Sequence, residues 1–338
     1  MSKNKPLARR VIRLCTLGLV LMAGTTAMTS CIDEDLSDCG ITYTISYRYN
    51  LRQNLTEELE KCLNESREGE IRTALQQALA PVYATKGHQL NLLFYADQQV
   101  YKQEIHDLEG EEKTLQPYLQ PNDYVHIALG NEKAETQIAT HGTERLDQLS
   151  LEAVAGDTLT TQSHGIYAAR LPIPRNDTTR HYMVNLYPQN ATFALVIDDR
   201  NLQPEMIRTY ASGFATAFTP DDSTFHHNRT YMVRTAAVTT PGFHAFHATT
   251  FPSRDALPHR TAAQRDAEPE YWKMEVQVKL NGKYTKTTLA VNKPLRAGDL
   301  YLIKGHLRDD GAITTTDNQV GVSIELDWKP GGDHDIEI

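Results

Sequence analysis

Four cysteines carry the most reactive side chains in this sequence, and their positions assign them different chemistry. Cys31 follows a basic head (Lys3, Lys5, Arg9, Arg10 and Arg13), an apolar stretch over residues 14–22 and a small, polar run over residues 23–30. That order is a signal peptide at residues 1–30, and a thiol directly after its small residues is the group that lipoprotein processing acylates before cutting the leader away. Met28-Thr29-Ser30-Cys31 reads as a relaxed lipobox with lipidation at Cys31; the alternative is an ordinary secretory leader cut elsewhere. A spanning helix needs about 20 apolar residues, and this stretch is far shorter, ending in threonines and a serine. Cys15 leaves with the leader, so Cys39 and Cys62 remain. In an oxidising compartment such a pair reads as a disulfide, stabilising the fold by about 3 kcal/mol on the chain-entropy model; two buried thiols are the other reading.

The remaining candidates for chemistry are histidines. His244 and His247 are spaced like metal ligands, with His226 and His227 nearby. Residues three apart on a strand point to opposite faces, however, and no Cys/His quartet accompanies them, so no metal and no cofactor is expected. Serine, histidine and aspartate are plentiful without any ordering as a triad. The chain has no glycine-rich phosphate loop, nucleophile elbow, HExxH helix or EF-hand loop. The expectation is that it is not an enzyme.

Charge narrows the partners. The full chain carries −9, and loss of the leader's five basic residues takes it to −14. A mature chain this acidic lacks the footprint that phosphate binding requires, so nucleic acid is not an expected partner. Mean hydropathy of −0.48 excludes a multi-span membrane protein, and 40% hydrophobic residues exclude a disordered one.

The elements that must position these residues are mainly strands. Residues 41–49 alternate, with Ile41, Tyr43, Ile45, Tyr47 and Tyr49 on one face and Thr42, Thr44, Ser46 and Arg48 on the other. Leu55, Leu59, Cys62 and Leu63, then Ile71, Ala74, Leu75, Ala78 and Leu79, follow at helical spacing and stop at Pro81. Strands are predicted over 90–95, 100–105, 124–129 and 166–171. Beyond the proline-bearing run 171–177 they continue over 182–186, 191–197, 206–218, 230–238, 275–280, 285–291, 300–307 and 320–328. Asn281-Gly282 between two alternating runs marks a hairpin. The expected fold class is mainly all-β: two antiparallel β-sandwich domains in tandem, over 41–174 and 175–338, with a helical insertion in the first and a linker over 31–40.

Three stretches carry a resemblance. Cys31-Ile-Asp-Glu-Asp-Leu-Ser-Asp-Cys39-Gly40 leads into a tyrosine-rich strand ending Tyr47-Arg48-Tyr49-Asn50; Leu119-Gln-Pro-Asn-Asp-Tyr-Val-His-Ile-Ala-Leu-Gly130-Asn131 closes a later strand; Val322-Ser-Ile-Glu-Leu-Asp-Trp328-Lys-Pro-Gly331 is followed by Asp335-Ile-Glu-Ile338. Together they resemble the FimB-type fimbrial anchor lipoproteins of Bacteroidales, which belong to type V fimbriae. Leu129 stands where that family more often has tryptophan, a difference that touches packing. The resemblance implies transthyretin-like sandwich domains and a lipid-anchored subunit that tethers a fimbrium to the outer membrane and supports its assembly. Its implied partners are the fimbrial shaft or accessory subunits and, through lipid, the outer membrane. Asp33, Glu34 and Asp35 resemble the acidic signal for surface exposure in such lipoproteins, or are a solvated linker. Val322, Ile324, Leu326 and Trp328 alternate in a way that suits either an internal strand or one offered to a neighbouring subunit. A surface lipoprotein that binds glycan is the reading from another class; Trp272 and Trp328 fall in strand patterns and look like core rather than a sugar platform.

The cysteine pairing is checked by the intact mass of the mature chain with and without reductant. A Cys39–Cys62 bridge is expected to add two hydrogens on reduction, and an unchanged mass means two thiols.

Overall fold

The computed structural model describes residues 40–84, 89–107, 110, 112–176, 179–255 and 270–315, and the backbone of 322–327. Residues 1–41 and 119–121 form one unit, and residues 42–118 and 122–338 the other, which holds nearly all of the described fold.

Strands dominate, as the alternation predicts. Seven of them order as Gln99–His106, Leu90–Ala96, Tyr124–Gly130, Tyr167–Ile173, His181–Pro188, Thr44–Tyr49 and Glu112–Leu115. The fourth and fifth touch only at Tyr167↔Pro188 and Ala168↔Tyr187. The two halves fold over one another there, and Tyr47 of one meets His126 of the other at a ring distance of 5.7 Å.

A second sandwich follows. Its six-stranded sheet contains Met206–Ser212, Trp272–Leu280, Lys283–Val291 and Val322–Asp327; its five-stranded sheet centres on Ala191–Asp198 between Phe243–Thr250 and Leu300–Leu307. Phe193, Leu195, Phe246 and Ile303 from the five-stranded sheet share one buried cluster with Met274, Val276, Val278 and Leu289 from the other. Trp272 belongs to that core, 5.0 Å from the Phe193 ring, with its indole N–H donated to the Lys293 carbonyl. The hairpin at Asn281-Gly282 forms with both residues at positive φ, 51° and 74°, the geometry that the Asn-Gly pair tolerates.

Among the described residues three pairings are parallel, which side-chain alternation cannot reveal. Two of them match: Thr44–Tyr49 runs parallel to His181–Pro188, and Ala191–Asp198 runs parallel to Leu300–Leu307. The third joins Thr158–Thr160 to Met232–Arg234.

The expected division at 174/175 therefore falls between two neighbours in one sheet, Tyr167–Ile173 and His181–Pro188, and the change of sheet comes at Gln189-Asn190. Pro172 lies within a strand, opposite Val125. Because the ladder to His181–Pro188 ends at Ala168, the far flank of Pro172 has no strand partner among the described residues, and the missing N–H costs no ladder hydrogen bond.

The helical insertion forms as Leu55–Cys62 and Gly69–Leu79, joined by a short turn at Ser66–Glu68. Asn54 caps the first helix, its side chain accepting from the backbone N–H of Thr56 and Glu57. Although the helices interrupt the first sandwich in sequence, they cover the second. Leu55, Leu59, Leu63, Ile71, Leu75 and Leu79 cluster with Ala194, Val196, Phe243, Ala245, Leu300 and Leu302 on the outer face of the five-stranded sheet. That explains why Ala191–Asp198 is buried along its whole length: one face meets the opposite sheet and the other meets the helices.

Lys304 bonds the turn between the helices, its ammonium 2.5 Å from Glu68 Oε1 and donating to the Cys62 carbonyl at 3.3 Å. Arg67 reaches Asp198 at 2.9 Å and lies over the Phe243 ring. Leu59→Ala is expected to destabilise the protein by about 2–5 kcal/mol in denaturant unfolding, the range for a buried leucine in a site that cannot collapse. A loss under about 1 kcal/mol would mean that the helices contribute little to the sheet they cover.

Candidate functional site

The strand Thr44–Tyr49 is the element that connects the described fold to the lipidation site expected upstream. It is paired on both flanks: in parallel with His181–Pro188, six residues from His181↔Thr44 to Leu186↔Tyr49, and antiparallel with Glu112–Leu115. Its inward side chains are buried, with Tyr43 at 1% exposure and Ile45 and Tyr47 at 0%. Outside, Ser46 bonds Thr114 and Arg48 pairs with Glu112 at 2.7 Å, both across the same ladder.

Beneath the strand lies a polar contact inside an apolar core. His126 is fully buried, stacked on Phe94 at 4.2 Å. Its Nδ1 lies 3.0 Å from the Leu93 carbonyl, and its Nε2 lies 3.0 Å from the Tyr47 hydroxyl. A carbonyl only accepts, so Nδ1–H donates to Leu93, and the neutral ring leaves Nε2 to accept the Tyr47 proton. Burial holds the imidazole in that neutral form, pulling its pKa from 6.5 to about 4. The same burial pushes the Tyr47 phenol well above its ordinary value, with Glu104 adding to the shift. At the end of the strand, a Cβ on Gly130 would lie 2.7 Å from the Tyr49 hydroxyl, so any larger residue would require the buried tyrosine ring to shift. Asn131 follows at φ 64° and donates its side-chain amide to the Gly165 carbonyl. The Gly-Asn pair noted in the sequence thus fits a close approach followed by a left-handed turn.

The other nominated residues are dispersed. Cys31, Cys39 and Trp328 lie outside the described residues. Cys62 ends the first helix, half-buried. Val322, Ile324 and Leu326 belong to a strand that completes its own sheet, in register with Val291, Leu289 and Thr287, and that strand is the last in the six-stranded order.

His244 and His247 take opposite faces of Phe243–Thr250, as their spacing requires. His244 lies 3.4 Å from Asp199, while His247 is buried with its pKa lowered to about 4 by desolvation. Among the described residues no cluster of three or more His, Cys, Asp or Glu side chains could hold a metal ion. Sequence reasoning did not single out His126, although the alternation Tyr124, His126, Ala128 places it on the inward face.

A family model for fimbrillin-A associated anchor proteins, Mfa1 and Mfa2, matches residues 80–330. No curated protein matches the sequence. Among solved structures the chain is similar to a proposed polysaccharide-binding protein from Bacteroides thetaiotaomicron, with 9% identity and a TM-score of 0.52 over 86% of this chain and 99% of that one. It is also similar to the fimbrial anchor protein Mfa2 from Porphyromonas gingivalis, with 11% identity and a TM-score of 0.46 over 85% and 99% of the two chains. A fimbrial assembly protein from Parabacteroides distasonis gives 12% identity and a TM-score of 0.43 over 85% and 100%. At 9% identity the likeness to the first of these is one of fold.

The buried imidazole makes stability depend on pH in a defined direction. The unfolded chain protonates His126 near its ordinary value and the folded chain only near 4, so this contribution is complete above about pH 6.5 and is lost as the pH falls toward 4. At about pH 5 the loss is about 2 kcal/mol. Urea unfolding at about pH 7.5 and about pH 5 is expected to show this drop in the native chain and a shallower one in His126→Gln. An equal pH dependence in both would contradict a neutral buried ring.

Proposed function

Because the chain belongs to the family of fimbrillin-A associated anchor proteins, we propose that it is a lipid-anchored fimbrial subunit that tethers a fimbrium to the outer membrane and supports its assembly. The lipid sits on Cys31, the protein faces the cell exterior, and its partners are the shaft or accessory subunits of that fimbrium. Its role is structural, without catalysis.

The observation that carries this reading is the placement of Thr44–Tyr49. A tether is useful only if the segment next to the lipid is held by the fold, and this strand is paired on both flanks with its inner face buried. Removing it to open a groove for a neighbouring subunit would also cut the protein from its lipid. The contact with the fimbrium therefore lies elsewhere. Strand addition needs an unpaired edge, and Val322–Asp327 ends its sheet order among the described residues. We assign the fimbrial contact to that edge, through the segment bearing Val322, Ile324, Leu326 and Trp328. A Cys39–Cys62 disulfide would add a covalent tie between the lipidated segment and the helices that cover the second sandwich.

Cys31→Ala tests the tether. Acyl chains contribute about 0.8 kcal/mol per buried CH₂, and without them nothing in this reading holds the protein to a bilayer. The variant is expected in the soluble fraction, with fimbriae shed into the medium. Its recovery with membranes, bearing attached fimbriae, would overturn the proposal.

A further inference from the structure

A pocket of about 320 Å³ opens in the first sandwich. Its floor is apolar, with Tyr95, Tyr124, Leu146 and Ile173 buried and Val125 half-buried. Its rim is exposed and consists of Asp97, Gln98, Asp123, Pro172 and Pro174.

The walls are fixed by the fold. Asp97 and Gln98 form the tight turn between Leu90–Ala96 and Gln99–His106, at φ 49° and 67°. The Gln98 carbonyl accepts from the Leu146 N–H at 3.0 Å, and the Tyr95 hydroxyl donates to the Thr143 carbonyl at 2.9 Å, so the turn is tied to the segment behind it. One Asp123 oxygen accepts from the Arg175 N–H. The Asp97 carboxylate and the Gln98 amide have no hydrogen-bond partner among the described residues, which leaves them available at the mouth. Beside the pocket the half-exposed Tyr101 ring lies 5.2 Å from Tyr124, tilted by 54° to it.

The lining selects a chemistry. Among the described residues no lysine, arginine or histidine lines the pocket, so it does not suit a phosphate, sulfate or carboxylate ligand. Among the described residues two carboxylates line it, too few for a divalent cation held by protein oxygens alone. What remains is an apolar floor with flat proline and tyrosine flanks, strong hydrogen-bond acceptors at the rim, and one amide that both donates and accepts. A pyranose ring matches this arrangement: one face of C–H groups to lay on the flat surface, and vicinal hydroxyls to donate to carboxylates. The volume is at the small end of ligand pockets, about 300–1,000 Å³, which suits one or two sugar residues.

We propose that this pocket binds a neutral saccharide, with Asp97 and Asp123 accepting its hydroxyls and Tyr101, Tyr124, Pro172 and Pro174 supporting its ring. This goes beyond the tethering role and does not depend on it.

The test is saturation-transfer NMR of the full mature chain with maltotriose, lactose, mannobiose and N,N′-diacetylchitobiose. Transfer to the ring protons of at least one is expected, with affinity lowered at least about tenfold in D97N/D123N and to a smaller extent in Tyr101→Ala. The substituted residues are exposed, so thermal midpoints are expected to stay unchanged, and they report whether lost binding is lost folding. Absence of transfer to all four sugars would overturn the proposal, as would transfer unaffected by D97N/D123N. Trilysine binding in place of the sugars would overturn it in favour of a basic peptide.

Discussion

Everything in the first sandwich rests on the pairing of Thr44–Tyr49 between His181–Pro188 and Glu112–Leu115. The strand has no spare edge, and its inward side chains, Tyr43, Ile45, Tyr47 and Tyr49, are nearly or wholly removed from water. Burying side chains of this size is worth about 1.5–3 kcal/mol each, a large part of the net stability of a typical domain, about 5–15 kcal/mol. Tyr47 adds a constraint of direction, since its hydroxyl must find His126 or leave a buried imidazole nitrogen unsatisfied. A force applied from the N-terminal side acts along the strand, so hydrogen bonds on both flanks share the load together rather than one after another.

The second sandwich repeats the plan with one addition. Ala191–Asp198 occupies the place in its sheet that Thr44–Tyr49 occupies in the other, with a parallel neighbour in each case. Its outer face presents Ala194 and Val196, and the helices contributed by the first half of the chain cover it. Lys304 and Arg67 hold the turn between those helices through Glu68, the Cys62 carbonyl and Asp198. The two halves of the chain are thereby committed to one another, because neither the helices nor the sheet face could remain exposed without a large apolar patch.

Local patterns in the sequence reveal which face of an element is buried and not what covers it. The alternation over 41–49, the spacing of Leu59, Ile71 and Leu75, and the Asn281-Gly282 hairpin all appear in the fold, since each depends on a period or a turn geometry. Parallel pairing leaves no such local mark, so the match of Thr44–Tyr49 with His181–Pro188 was hidden. The expected domain boundary falls at the proline-bearing run, yet Pro172 sits in a strand whose far flank is unpaired among the described residues. Phe243–Thr250 escaped notice because two histidines interrupt its apolar residues, and their burial follows from contacts distant in sequence. The pocket residues were equally silent: Asp97 and Gln98 fall between two predicted strands, and only the fold brings Asp123, Pro172 and Pro174 beside them.

The central claim is that the strand nearest the lipid is a permanent, fully paired part of the fold, and hydrogen exchange over residues 43–50 measures this directly. With both ladders intact these amides are expected to exchange only through global unfolding, as slowly as those of Ala191–Asp198, in the free protein and in the protein attached to fimbriae. Rapid exchange over 43–50 in the attached state, with Ala191–Asp198 still protected, would show that the strand is released during assembly and would contradict the account.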